Sequence, residues 1–386
     1  MPERVEHLVI GGGPAGSMLA LRLASSGREV LLLEKEYEPH HKVCGEFLSQ
    51  EAVGYLEQIG LKPLDLGAKS IHCVRMYSGR HVAESCLPFR ALSLSRHVLD
   101  EILLQRAASA GCKIHRGAFV EKLHRHRGTW TAQVRGSQSI DARAVFLATG
   151  KHDLSDWPRS PGSQPDLVGF KMHWRLGGSQ TECLRDIMEL FLFRDGYGGL
   201  SLVENEVANL CFVVRRRRLR ELGGWTGLLD SIRHEVPTID QRLRSAIACW
   251  TKPLAISPIP YGHLASPASD WWRIGDQAAV IPSFTGDGMS IALHSAELAA
   301  KVYLAGESPE VYSRRLEDQL RPGMRFALTL SQSIITSAGR TIAPLAFGLV
   351  PGAMGWIAKK TRIPDRALPD PGNPSGAIHS SPASLA

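Results

Sequence analysis

The stretch VEHLVIGGGPAGSMLALRLASSGREVLLLEK, Val5 to Lys35, decides the architecture of this chain. HLVI is an apolar run of strand length, and the glycines after it break the strand. PAGSMLALRLASSG reads as a helix that begins at Pro14, whose fixed φ suits a first turn, and ends at Gly27. EVLLLEK is a second strand, so the segment is a βαβ unit that opens a doubly wound sheet. Within it Gly11, Gly13 and Gly16, with Ala15 between the last two, have the spacing G-x-G-x-x-G. The first glycine permits the tight turn, and the second lets backbone approach a pyrophosphate. The third lets helix and strand lie close, and the helix N-terminus offers its positive dipole to the anion. Glu34, followed by Lys35, ends the second strand, where a carboxylate accepts both hydroxyls of a ribose. A 2′-phosphate would be repelled there, so the expected ligand is an adenine dinucleotide without one.

At 386 residues the chain exceeds what one core usually serves, which predicts two closely packed domains. The seven cysteines are an odd number and widely scattered, with no C-x-x-C pair. That favours free thiols in a reducing compartment over a disulfide framework or a zinc site. MPERVEHLVIGGG runs straight into a strand without the parts of a secretory signal, so the expected location is the cytoplasm. A net charge of +7 raises the question of an anionic partner. The densest basic run, Arg215 to Arg218 with Arg220, has no interleaved aromatics and no nucleic-acid module around it. Nucleic acid is therefore not an expected partner. A solvated basic face is the simpler account, and a carrier protein or the headgroups of a membrane to which the chain is peripheral also suit the charge.

Further along, 70–86 resembles antiparallel strands, 95–110 an amphipathic helix, and 113–147 more strands. The segment 168–214 has the alternation of a β-meander with a break at RDGYGG, and 287–305 and 308–349 are mainly helical. The expected division is a discontinuous cofactor domain (1–70, 95–165 and 260–305) holding an inserted sheet domain for substrate (71–94 and 166–259). A helical region (306–362) and a disordered Pro/Gly/Ser-rich tail (363–386) follow. Between Arg340 and Lys359 runs TIAPLAFGLVPGAMGWIA, which contains no charge. Its prolines and glycines argue against one regular spanning helix. A buried pair of short helices, or an apolar lid or interfacial patch edged by Trp356 and Lys359, remains.

The stretch WWRIGDQAAVIPSFTGDGMSIALHSAELAA, from Trp271, places a strand end at Gly275–Asp276 and a glycine-opened helix at Gly286, Gly288 and Met289. Together with the N-terminal motif, Glu34, Arg96 in SRHVLDEIL and FLATG ending at Gly150, it resembles the FAD-dependent monooxygenase and geranylgeranyl-reductase superfamily. The fold class this implies is α/β, with a Rossmann-like FAD-binding domain of the glutathione-reductase type, an inserted antiparallel β-sheet domain and a C-terminal helical segment. By the resemblance Asp276 binds a ribityl hydroxyl and Val120 meets the adenine through its backbone. The helix after Gly288 aims its N-terminus at the flavin, where its dipole stabilises the reduced anion. Arg96, a cation in the first turn of its helix, is explained if a pyrophosphate compensates it.

That frame gives a role to HHKVCGEFLS, His40 to Ser49. Similar members of the superfamily carry K-x-C-G-E-x-L-S where the chain passes the flavin. Small Cys44 and Gly45 then form a wall beside the ring, Ser49 caps the next helix, and Glu46 is an acid–base group if it faces the pocket. A metal is not expected here, because His40 and His41 are adjacent and no partner ligands lie at useful spacing. A single dinucleotide motif implies that electrons come from transiently bound NAD(P)H or from a partner reductase. The expected activity is that of an FAD-dependent oxidoreductase, foremost a monooxygenase that hydroxylates or epoxidises an apolar small molecule such as a lipid, polyketide or isoprenoid. A carbon–carbon double-bond reductase with Tyr197, Glu46 or Cys44 as proton donor is the alternative, as is a non-redox flavin-dependent cyclase or isomerase.

Overall fold

The computed structural model describes residues 3–266, 271–349, 352–364 and 367–368. β1 (Glu3–Ile10), α1 (Pro14–Ser25) and β2 (Val30–Glu34) form the predicted βαβ unit, with β1 and β2 parallel in register from His7–Val30 to Ile10–Leu33. The seven-stranded sheet continues from β1 to the parallel strand Ile140–Leu147 and then the hairpin Val120–Val134, while Lys113–Arg116 flanks β2. Trp272–Arg273 joins beside Phe146–Leu147 and delivers the chain to Gly275 at the carboxyl end of the sheet. α1 is buried between this sheet and the helix Gly288–Leu304, which is why it is apolar almost all round.

The second sheet has nine strands. Its middle, 167–215, is not the simple meander that the alternation suggests. Leu167–Arg175 pairs with Ala208–Arg215 rather than with the strand that follows it in sequence, and Asp186–Phe193 pairs in parallel with Lys69–Ser78. The turn at Gly178–Glu182 belongs to the connection that carries the chain across. The apparent break at RDGYGG is a hairpin turn at Arg194–Asp195, with Asp195 at φ 63°. Gly196 and Gly198 lie within the next strand for a steric reason. A Cβ at Gly198 would stand 2.3 Å from the Phe191 ring and one at Gly196 2.5 Å from the Phe193 ring, so the glycines admit these aromatic side chains.

One face of this sheet, including Val168, Phe170 and Phe212, packs on the helices Trp225–Glu235 and Pro237–Leu243. The other face carries Leu167, Met76, Leu192, Val213 and Tyr197 and turns toward the cofactor domain. A cavity of about 1090 Å³, slightly above the ~300–1,000 Å³ range of small-molecule sites, is lined by residues of both sheets.

The C-terminal region folds as the helices Pro309–Ile335, Ser337–Leu349 and Ala353–Thr361. Among the described residues no helix is long and apolar enough to cross a membrane. Ile342 and Trp356 are exposed, whereas Pro344 and Gly355 are buried. Most of the expected tail lies outside the described residues. Where it is described it is attached: Ile363 is buried, and Ala367 and Leu368 pack on the core.

Candidate functional site

The glycine turn is held as its spacing requires. Gly11 sits at φ 109°, and a Cβ on it would stand 2.4 Å from the Ala148 carbonyl oxygen. A Cβ on Gly16 would approach the Gly11 carbonyl oxygen to 1.9 Å, so α1 can meet β1 this closely only without a side chain there. Glu34 is buried, and its carboxylate accepts the amides of Gly12 (2.7 Å) and Glu36 (3.1 Å). It is thereby pinned beside Lys35 and Val120, which line the same end of the cavity.

Arg96 lies over this turn, its Nη2 3.4 Å from where a Cβ of Gly13 would be. Its charge is already compensated: Nε and Nη2 form a bidentate pair with Asp100 at 2.6 and 2.8 Å, and Lys42 adds a second cation at 2.9 Å. Burial opposes charge on both partners, yet the pairing keeps Asp100 below the ordinary carboxylate range and holds Arg96 protonated. An internal carboxylate satisfies it, and the triad of two cations and one anion keeps a net positive charge facing Gly13. Ser95 is the N-cap, accepting from Val98.

Beyond the start of α1, where a Cβ on Gly275 would stand 2.8 Å from Ala15, Asp276 pairs with Lys151 at 3.3 Å. Burial works against its charge, but Lys151 and then Arg159 hold its carboxyl below the usual range. Around it lies a shell that the sequence did not disclose. Arg159 bridges Asp153 and the Asp276 carbonyl, and Gln277 donates to the carbonyls of Gly150 and His152. Gly286 is left-handed, φ 76°, and a Cβ there would strike the Phe47 ring at 2.6 Å. The helix then begins at Gly288, with Met289 buried.

The Cys44–Glu46 loop differs from its sequence reading. Cys44 and Gly45 do line the cavity, and Cys44 Sγ accepts the Glu46 amide at 3.3 Å. Glu46, however, is entirely buried at φ 59°. One carboxylate oxygen accepts Lys171 Nζ and the Arg96 amide, and the other meets His173 Nε2 at 2.9 Å. Burial alone would raise its pKa, but Lys171 and His173 outweigh it and keep the carboxyl ionised. Its oxygens are committed to Lys171, the Arg96 amide and His173, which argues against Glu46 as the acid that protonates a substrate. Ser49 occupies the N-cap position of Gln50–Gln58 without capping through its side chain, because its hydroxyl turns to Glu51 and Ser290 instead.

His41 also joins this cluster across the fold. The ligand atoms of His41, Glu46 and His173 all lie within 4.8 Å of one another, a proximity that spacing along the chain did not reveal. Burial, then the nearby Lys171, pull the His41 pKa down to about 3. The Lys171 ammonium on Glu46 opposes a second cation there.

Tyr197 is buried on the cavity wall, within 3.4 Å of the Tyr261 hydroxyl and 3.3 Å of the Ser283 hydroxyl. Neither Tyr261 nor Ser283 carries a sequence signal, since each lies in an irregular segment between recognisable elements.

These residues fit FAD. The cations Arg96 and Lys42 flank the glycine turn and would meet a pyrophosphate, Glu34 would hold a ribose diol, and Asp276 would hold a further hydroxyl. Cβ atoms at Gly45, Gly150 and Gly288 would have nothing within 4 Å, which leaves an open cradle along the cavity. When bound, FAD supplies two-electron redox chemistry there.

Comparison with known proteins points to the same cofactor. Residues 4–149 match the family model described as FAD binding domain. The menaquinone reductase of Mycobacterium tuberculosis (strain H37Rv) is 24% identical over 85% of this chain and 84% of its own. Digeranylgeranylglycerophospholipid reductase 1 of Methanothermobacter thermautotrophicus is 26% identical over 95% and 98%. Among solved structures, a probable FAD-dependent monooxygenase from Pseudomonas aeruginosa superposes with a TM-score of 0.70 at 18% identity, covering 89% of this chain and all of that one. At that identity it shows the shared fold. The chain is a flavin-dependent oxidoreductase with an FAD binding domain over residues 4–149, and it is similar to FAD-dependent reductases and monooxygenases.

Proposed function

We propose that this oxidoreductase is a monooxygenase that hydroxylates or epoxidises an apolar small molecule. The observation that carries the reading is the wall facing the flavin cradle. It is apolar at Met76, Leu192, Val213 and Ile259, and its carboxylate, Glu46, is held ionised by Lys171 and His173. Oxygen transfer asks the protein for orientation and exclusion of water, and an apolar wall supports that reading. Protonating a carbon, as a double-bond reductase must, asks for an acid with a pKa near the working pH. Burial instead pushes both cavity tyrosines, Tyr197 and Tyr261, upward.

Double-bond reduction is the second reading, and two of the relatives that match over most of the chain carry the name reductase. Dioxygen uptake separates the two. Stoichiometric oxygen consumption with substrate, driven by NAD(P)H directly or through a partner reductase, supports oxygenation. Consumption of reductant and substrate without oxygen overturns it. An apolar substrate also needs a route from a membrane or a carrier protein, and exposed Trp356 beside Lys359 and Lys360 suits contact with anionic headgroups. Retention of the protein by anionic liposomes, lost in Trp356→Asp, tests that contact.

A further inference from the structure

The cavity is apolar along most of the substrate sheet, but three hydroxyls converge on it. Tyr261 donates to Ser283 at 2.6 Å, an ordinary short hydrogen bond. The Tyr197 hydroxyl lies 3.4 Å from Tyr261 and 3.3 Å from Ser283, beyond the ~2.5–3.0 Å of a well-formed O–H···O bond. Three hydroxyls bring three protons, and only the Tyr261 proton is committed to a short bond within the cluster. Tyr197 donates only a long bond to Tyr261, with Ser331 and the Phe284 backbone also beside its oxygen, and Ser283 donates no short bond in the cluster, so these two protons can turn to a ligand. Both tyrosines are buried, and Ser283 is exposed on the cavity wall. The cluster also sits at a chemically meaningful place. Ser283 opens the short turn Ser283–Thr285 that leads through Gly286 to the helix at Gly288, the element that closes the flavin cradle. Phe284 meets Tyr197 edge-on and holds the turn against the sheet.

We propose that Tyr197, Tyr261 and Ser283 form a binding site for one oxygen of the substrate, a phenolic hydroxyl or a conjugated carbonyl, so that the substrate is an apolar molecule with an oxygenated unsaturated head. Tyr197 and Ser283 donate to that oxygen, and Tyr261 supports Ser283. The apolar sheet takes the rest of the molecule. The hydroxyls orient the head beside the cradle, and burial keeps the two tyrosines protonated throughout the physiological range. This rests on the apolar-substrate reading above and narrows it.

The test uses the FAD-loaded full-length protein and two probes, 4-heptylphenol and heptylbenzene, which differ by one oxygen. Binding is read by isothermal calorimetry, and FAD retention by visible absorbance. The wild type should bind the phenol roughly tenfold tighter, the scale of one or two net hydrogen bonds. Tyr197→Phe and Ser283→Ala should each weaken phenol binding roughly three- to tenfold and leave heptylbenzene within about twofold. If Tyr197→Phe fails to retain FAD, the Ser283→Ala comparison alone decides the matter. Equal binding of both probes by the wild type, or equal loss of both in the variants, overturns the oxygen site while leaving an apolar cavity. Binding of neither probe, with FAD retained, overturns the apolar-substrate reading itself.

Discussion

The ammonium of Lys171 and the carboxylate of Glu46 form an ion pair in which neither side chain reaches solvent. It ties the loop beside the glycine turn to the second sheet, and the same carboxylate receives the Arg96 amide at the start of its helix. Two domains and the dinucleotide turn are therefore linked through one buried anion.

Removing that anion should be costly. Glu46→Ala leaves Lys171 buried without its partner, and a loss of about 3–5 kcal/mol is expected in chemical denaturation. Because the folded-state pKa of Glu46 is lowered, its contribution is present at neutral pH and fades as the pH falls through its folded pKa. The double variant Glu46→Met/Lys171→Met should recover most of the loss. A Glu46→Ala protein as stable as the wild type would refute the role.

Arg96→Ala withdraws one cation from the glycine turn and leaves Asp100 with Lys42. FAD affinity should fall roughly ten- to a hundredfold, the value of a charge-assisted hydrogen bond. Equilibrium dialysis of reconstituted protein measures this, and unchanged affinity would show that Arg96 serves only its helix.

Cys44→Ala should retain FAD and measurable turnover. The thiol accepts one long hydrogen bond from the Glu46 amide and otherwise forms cavity wall. An intact flavin spectrum with complete loss of turnover would promote the thiol to a chemical role.

Asp287 supplies a pH signature. It is buried near Glu51 and Arg362, and burial lifts its carboxyl to about 6. The unfolded value is near 3.9. Between those values the folded chain binds more protons than the unfolded one, so stability is lost as the pH rises through about 6. Asp287→Asn should raise the melting temperature at pH 8 more than at pH 4.5. An equal change at both would dismiss the effect.

The helix Gly288–Leu304 and the βαβ unit were legible in the sequence, because local periodicity, Pro14 and glycines that tolerate tight turns specify them within a few dozen residues. Glu34 was legible for the same reason, being placed by the strand that it ends. The strand order of the second sheet was not. Alternation tells which residues share a face, but two neighbours with the same alternation pair according to the packing of the whole domain, and so Leu167–Arg175 found Ala208–Arg215. The chemistry of HHKVCGEFLS was likewise undetermined along the chain. A glutamate in a loop carries no sign of whether water or an ion will satisfy it, and Lys171 and His173, read locally, are charges in a strand. Only when the sheet closes on the loop does the cost of burying an unpaired charge decide that Glu46 is a structural anion. The same closure brings Tyr197, Tyr261 and Ser283, from three separate segments, to one point on the cavity wall. Short-range constraints wrote the cofactor cradle into the sequence, and long-range packing decided which side chains face it.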